Sequence, residues 1–205
     1  MHCKEDAVRN FRLPRHARFA ARFARAERGA VAVEVSLVLF MFVSLVFALF
    51  ELAMVLLAFT SLETAVQVAG RQLRTGEFQQ RAANSQADFK NLVCANMGWL
   101  SSQCAADTFV EVRTFASFSD LAANPPLPPS TFKPTTPATP PKTCFAAGNP
   151  TDIVLVRAYF KWRLFTPLLD HGLENIPGTG IRVMSSATAF RNEPYSDQPA
   201  LGAKC

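Results

Sequence analysis

Arg28-Gly29-Ala30-Val31-Ala32-Val33-Glu34 opens a segment that continues Val35-Ser36-Leu37-Val38-Leu39-Phe40 and stays largely apolar as far as Phe59. Val35 to Phe50 is sixteen residues without a charge. Glu51 interrupts the run, and Leu52 to Phe59 is apolar again. At about 1.5 Å per residue, Ala30 to Phe59 makes a helix of about 45 Å, against roughly 30 Å of bilayer hydrocarbon. The segment therefore predicts a transmembrane helix over 30–59 with length to spare. Glu34 lies inside it, and an ionisable group there is costly unless it is paired or reaches the interface. Glu51, seventeen residues further, falls about 25 Å along the same helix, near the opposite interface. Such a residue either rests at the headgroups or meets a base on a neighbouring subunit.

The charge upstream gives this helix a direction. Residues 1–29 carry eight Lys and Arg against three Asp and Glu, and the remainder carries thirteen of each. All the excess positive charge thus precedes the apolar run, the positive-inside signal for a cytoplasmic N-terminus. A nucleic-acid binder keeps its basic face on the folded part, so nucleic acid is excluded as an expected partner. Within 1–29, Arg15, Arg18, Arg22 and Arg25 recur at helical spacing around Phe19 and Phe23, as in a short helix on anionic headgroups or a basic tail. The apolar run exceeds the roughly 7–15 residues of a cleavable secretory signal, and the small-residue junction Gly29-Ala30 lies before it.

Beyond the span, residues 60–205 form an outer domain. Leu62, Ala65, Val66, Ala69 and Leu73 continue the helical spacing, so one helix runs to about Arg74 with Gly76 as its stop. A second helix is expected within Gln80–Met97, ended by Gly98. Three strands follow: Thr108–Phe115, Ile153–Trp162 and Ile181–Phe190. The fold class is α+β, a long spine helix and a second helix with an antiparallel three-stranded meander. Asn124 to Pro141 holds eight prolines, which exclude a central strand or a helix. An extended surface loop is the plain expectation, and a docking segment for another subunit the functional one. Leu164–Gly180 reads as an irregular connection. Cys3 precedes the span, while Cys94, Cys104, Cys144 and Cys205 all follow it, an even number on the oxidising side. Four cysteines allow three connectivities; Cys94 with Cys104 is the local choice among them, which would leave Cys144 with Cys205.

Gly29 to Leu39 resembles the opening of TadE-like proteins, the minor pseudopilins of tight-adherence (Flp-type) pilus systems. Glu51 matches a glutamate that the family often carries near the far end of the helix. The cysteines beyond the helix, Val154-Leu155-Val156-Arg157 with Thr166-Pro167-Leu168, and Asn192-Glu193-Pro194-Tyr195 also resemble family features. Val35 stands where phenylalanine is usual, and Phe40 where proline is frequent, so no proline kink is expected. The resemblance implies a prepilin peptidase that cuts between Gly29 and Ala30 and frees the Ala30 amine. It implies a Glu34 carboxylate that pairs with the amine of a neighbouring subunit, and an assembly role for Glu51. The implied partners are other pilins or pseudopilins, the pilus assembly platform and the bacterial inner membrane, with the C-terminal domain periplasmic. The rival reading is an uncleaved bitopic envelope protein whose outer domain is a binding or secretion-complex module.

Catalytic chemistry finds little support. After residue 29 the single histidine is His171, beside Asp170. No His/Cys/Asp cluster has metal-ligand spacing, and neither a phosphate loop nor a nucleophile elbow is present. Cys144 and His171 make a dyad only on paper, since Cys144 is a disulfide partner first. No cofactor, no metal and no enzymatic activity are expected.

Overall fold

The structure is a computed structural model that describes residues 27–134, 141–166 and 170–195. The chain divides into two compact units, Met1–Phe47 and Ala48–Cys205.

In the first unit the described residues belong to helix α1, Glu27–Arg74. No glycine or proline interrupts the sequence from Ala30 to Ala69, so nothing breaks the backbone ladder. Its hydroxyls turn back on the helix itself: Ser36 Oγ donates to the Val33 carbonyl and Ser44 Oγ to that of Phe40. That removes their donors from the apolar surround. Apart from half-buried Val46, the large apolar side chains are exposed around the circumference, from 39% at Val43 to 72% at Met41. A helix that is apolar all round belongs in lipid or among other apolar helices. Gly29–Arg74 is long and apolar enough to cross a membrane.

In the second unit the same helix becomes the spine of a packed domain. Val55, Ala58, Leu62, Ala65, Val66, Ala69 and Leu73 are buried, at the three- and four-residue spacing that lines one helix face. The core begins inside the 30–59 segment assigned to the membrane, because Glu51 and Val55 are already covered by the domain. The helix stops at Arg74. Gly76 takes φ +77° and its N–H reaches the Leu73 carbonyl, the left-handed turn that glycine supplies without a Cβ penalty.

Helix α2, Gln86–Ala95, is shorter than the Gln80–Met97 window because a capping box sets its start. The Ser85 hydroxyl accepts from the Asp88 N–H, and Asp88 accepts from the Ser85 N–H. Gly98 is left-handed at φ +59°. It opens a 3-10 turn, Gly98–Leu100, that leads straight into helix α3, Ser101–Asp107. That helix was not anticipated.

Strands β1 (Thr108–Phe115), β2 (Ile153–Arg163) and β3 (Ile181–Arg191) form an antiparallel sheet in the order β1-β2-β3, and the fold is α+β. Val112 faces Val156, which faces Thr188. Because side chains alternate across a strand, Val154, Val156, Ala158, Phe160 and Trp162 join the core cluster that holds the spine residues. Tyr159 looks the other way, into a smaller cluster with Phe132, Ile176, Ile181 and Val183.

The proline-rich segment departs from a plain surface loop. Helix α4, Phe118–Ala122, precedes it. Pro129–Phe132 then makes a 3-10 turn whose Phe132 is buried against Tyr159, ring centroids 4.7 Å apart. Residues 135–140 of the segment lie outside the described residues. The 164–180 connection contains a short helix α5, Asp170–Leu173, which carries His171. Its return is tied by Asn175, whose side chain accepts from the Val183 N–H and donates to the Val183 carbonyl, as a neighbouring strand would.

Candidate functional site

The predicted processing residues lie at the start of α1. Gly29 and Ala30 are helical, and the Glu34 side chain is exposed one turn further on. Ala30 is exposed as well, and Gly29 is half-buried. Leader residues 1–26, including Cys3, lie outside the described residues.

Glu51 sits differently. It is 3% exposed, and its Oε2 accepts three hydrogen bonds: the Phe165 N–H at 2.9 Å, the Thr166 N–H at 3.1 Å and the Thr166 hydroxyl at 3.0 Å. Two successive amides and a hydroxyl aimed at one oxygen make a charge-assisted anchor. It ties the connection after β2 to the spine. Oε1 is buried without a hydrogen-bond partner among the described residues. Glu51 is thus engaged within its own chain, where the sequence had suggested an interfacial residue or a base from another subunit.

Aromatic side chains gather around this anchor. Trp162 touches Trp99 at 6.0 Å and Phe165 at 5.5 Å between ring centroids, both edge to face. Trp162 is buried, while Trp99 is 53% and Phe165 70% exposed. Arg163, between Trp162 and Phe165 in sequence, is exposed.

Asn192-Glu193-Pro194-Tyr195 closes the opposite end of the spine. Asn192 is buried, and its side-chain amide donates to the carbonyls of Ala147 and Asn149 and to the Tyr195 hydroxyl. Glu193 donates its N–H to the Arg74 carbonyl at 3.0 Å and pairs with the Arg74 guanidinium at 3.3 Å. The segment thus supplies both a hydrogen bond and a counter-ion at the helix C-terminus. The Tyr195 hydroxyl accepts from Gln79, and burial pushes its pKa above the ordinary phenol value. The tail is a clasp on the spine, which no local pattern in the sequence revealed.

Cys94 and Cys104 are disulfide-bonded, joining α2 to α3. The Thr108 hydroxyl lies 2.9 Å from Cys104 Sγ; a disulfide sulfur carries no proton, so the hydroxyl is the donor. Cys144 is also disulfide-bonded, and Cys205, its expected partner, lies outside the described residues.

A buried ion cluster on the outer sheet face was also missed. Glu111 is 2% exposed and meets Arg113 at 2.6 Å and Arg157 at 3.9 Å. Arg157 also donates to Asn124 and Pro125 at the start of the proline segment. Its work is to hold that segment on the sheet.

Comparison with known proteins finds no matching family model, no matching curated protein and no matching solved structure.

Proposed function

We propose that this chain is a membrane-anchored minor pseudopilin of the TadE-like kind. A prepilin-type peptidase cuts it after Gly29, and it helps to assemble or stabilise a tight-adherence pilus for adhesion or secretion. One observation carries the reading: a basic leader ends at Gly29, and a glutamate stands fifth after that glycine inside a long apolar helix. The physical logic is economical. Cleavage creates an ammonium at Ala30. A Glu34 left exposed in an apolar surround gains most from a cation presented by the next subunit. Such pairing would fix the axial register of neighbouring helices, whose uncovered apolar circumference supplies the packing. The buried spine face and the sheet then hold the outer domain on the helix as one unit with its Ala48–Arg74 portion.

The reading places the N-terminus in the cytoplasm and the C-terminal domain in the periplasm, following the positive charge before the span. The prepilin peptidase, other pilins and the assembly platform are the partners it requires, and no enzymatic activity is assigned.

Intact mass of the membrane-extracted protein tests it. The expected species begins at Ala30 and lacks residues 1–29. A full-length mass in cells with an active prepilin peptidase overturns the reading and leaves the uncleaved envelope protein.

A further inference from the structure

We infer that Trp99, Phe165 and Arg163 form a lipid-binding rim, seated on the headgroup layer of the membrane that α1 crosses; the inference rests on α1 as a membrane span. The Glu51 anchor fixes the place. It holds the Phe165 and Thr166 amides against α1 immediately after Phe50. Ala30 to Phe50, apolar except for Glu34 and two serines, is about the length of one hydrocarbon crossing. Phe165 therefore sits where hydrocarbon gives way to headgroups, and the edge-to-face contacts with Trp162 carry Trp99 to the same region.

The chemistry matches that depth. Two large aromatic side chains are more than half exposed there although a buried core lies next to them. Indole and phenyl rings favour the zone between hydrocarbon and water. Exposed Arg163, the residue after Trp162 at the end of β2, supplies a cation at that strand end, complementary to anionic lipid. Its long apolar stem lets the guanidinium reach phosphate from the strand end. The rim would restrain the outer domain against the membrane surface, with the Glu51 hydrogen bonds holding the rim to the spine.

The test uses the full chain reconstituted in vesicles of phosphatidylethanolamine and phosphatidylglycerol. The chain has two tryptophans, so Trp162→Phe leaves Trp99 as the single indole. Spin-labelled lipids then report its depth. Quenching severalfold stronger from a headgroup label than from a label near the acyl terminus is expected, with protection from aqueous iodide. Phe165→Ser combined with Arg163→Ser should return Trp99 towards water. If Trp162→Phe disturbs folding, the difference between the unaltered chain and Trp99→Phe gives the same depth. Inserted protein whose Trp99 is freely quenched by iodide overturns the rim alone. Protection that grows with protein density and ignores the lipid labels assigns the patch to a second copy and also overturns it. Failure to float with the vesicles overturns the membrane span as well. Loss of residues 1–29 in cells is read separately, so the rim and the pseudopilin reading fail distinguishably.

Discussion

The Tyr195 ring occupies the space in which a side chain at Gly76 would begin: a Cβ there would stand 2.6 Å from the ring Cγ and 2.7 Å from Cδ1. Gly76 also holds φ +77°. Alanine at this position therefore meets two penalties, a left-handed backbone of about 1–2 kcal/mol and overpacking of about 1–3 kcal/mol. Gly98 separates them, since it is left-handed at φ +59° with nothing within 4 Å of its Cβ position. Gly98→Ala should cost only the backbone part. Chemical denaturation of the two variants should rank Gly76→Ala well below Gly98→Ala. Adding Tyr195→Ala to Gly76→Ala should cost less than the sum of the single changes, the non-additivity expected of groups in contact.

The two tyrosines give a pH signature. Burial is the leading cause that raises both Tyr159 and Tyr195 above 10.0, outweighing the hydrogen bonds each hydroxyl accepts. Each phenol then holds its proton more tightly in the folded chain than in the unfolded one. The stability this contributes is complete below pH 10 and is lost as pH rises through the folded values. Since these are the only tyrosines in the sequence, phenolate absorbance of the folded protein should rise only above the ordinary tyrosine range. Unfolding in denaturant should bring the titration back to about 10. A native curve centred at the ordinary value would contradict the burial of both rings.

Much of this architecture was written in local pattern. The spine face at Leu62, Ala65, Val66, Ala69 and Leu73 followed from helical spacing, and all five are buried. The strands followed from β-rich alternation, with β1 at the expected bounds and β2 and β3 one residue longer. Helix α3 escaped because Ser101-Ser102-Gln103-Cys104-Ala105-Ala106-Asp107 offers no apolar stripe; its one buried side chain, Cys104, is held from outside by the disulfide to α2. The Ser85–Asp88 capping box is legible in the sequence as a spacing. Glu51 is a different case. Its partners lie 114 and 115 residues away, and no window along the chain joins a carboxylate in an apolar helix to two amides beyond a distant strand. The same holds for Asn192 and the 147–149 carbonyls.

Removing the Glu51 carboxylate should loosen the domain even in an isolated chain. Glu51→Ala deletes three hydrogen bonds and leaves the Phe165 and Thr166 amides without their acceptor. At the usual worth of bonds to a charged group, offset by the cost of burying that charge, the loss is about 3 kcal/mol. Thermal unfolding in detergent should fall by roughly 6–12 °C for a domain of this size. Glu51→Gln retains an acceptor oxygen and should lose less. An unchanged melting temperature in both variants would show that the anchor adds nothing within the chain, and would return Glu51 to a role between subunits.

Arg157 is the remaining lever on the proline segment. Its guanidinium donates to the Asn124 side chain at 3.1 Å, to the Pro125 carbonyl at 2.9 Å and to the Asn124 carbonyl, while facing Glu111 at 3.9 Å. Arg157→Met fills much of the same volume but removes every donor. The half-buried Asn124 carbonyl and the Pro125 carbonyl lose their partner, and Glu111 keeps Arg113 at 2.6 Å. Because Arg113 still pairs with Glu111, the cost stays below the about 3–5 kcal/mol of leaving a buried charge alone; the segment loses the Arg157 part of its attachment to the sheet and keeps the Leu127 N–H bond to the Tyr159 hydroxyl. Limited proteolysis should then cut within 124–134 in the variant at protease levels that spare the unaltered chain. Replacing both partners, Arg157→Met with Glu111→Leu, removes the buried carboxylate that is left with a single partner and should recover part of the stability. It should not recover protection of the segment, because the Asn124 and Pro125 carbonyls still lack a donor. Recovery of both together would mean that the ion pair, and not the hydrogen bonds to the proline segment, holds 124–134 in place.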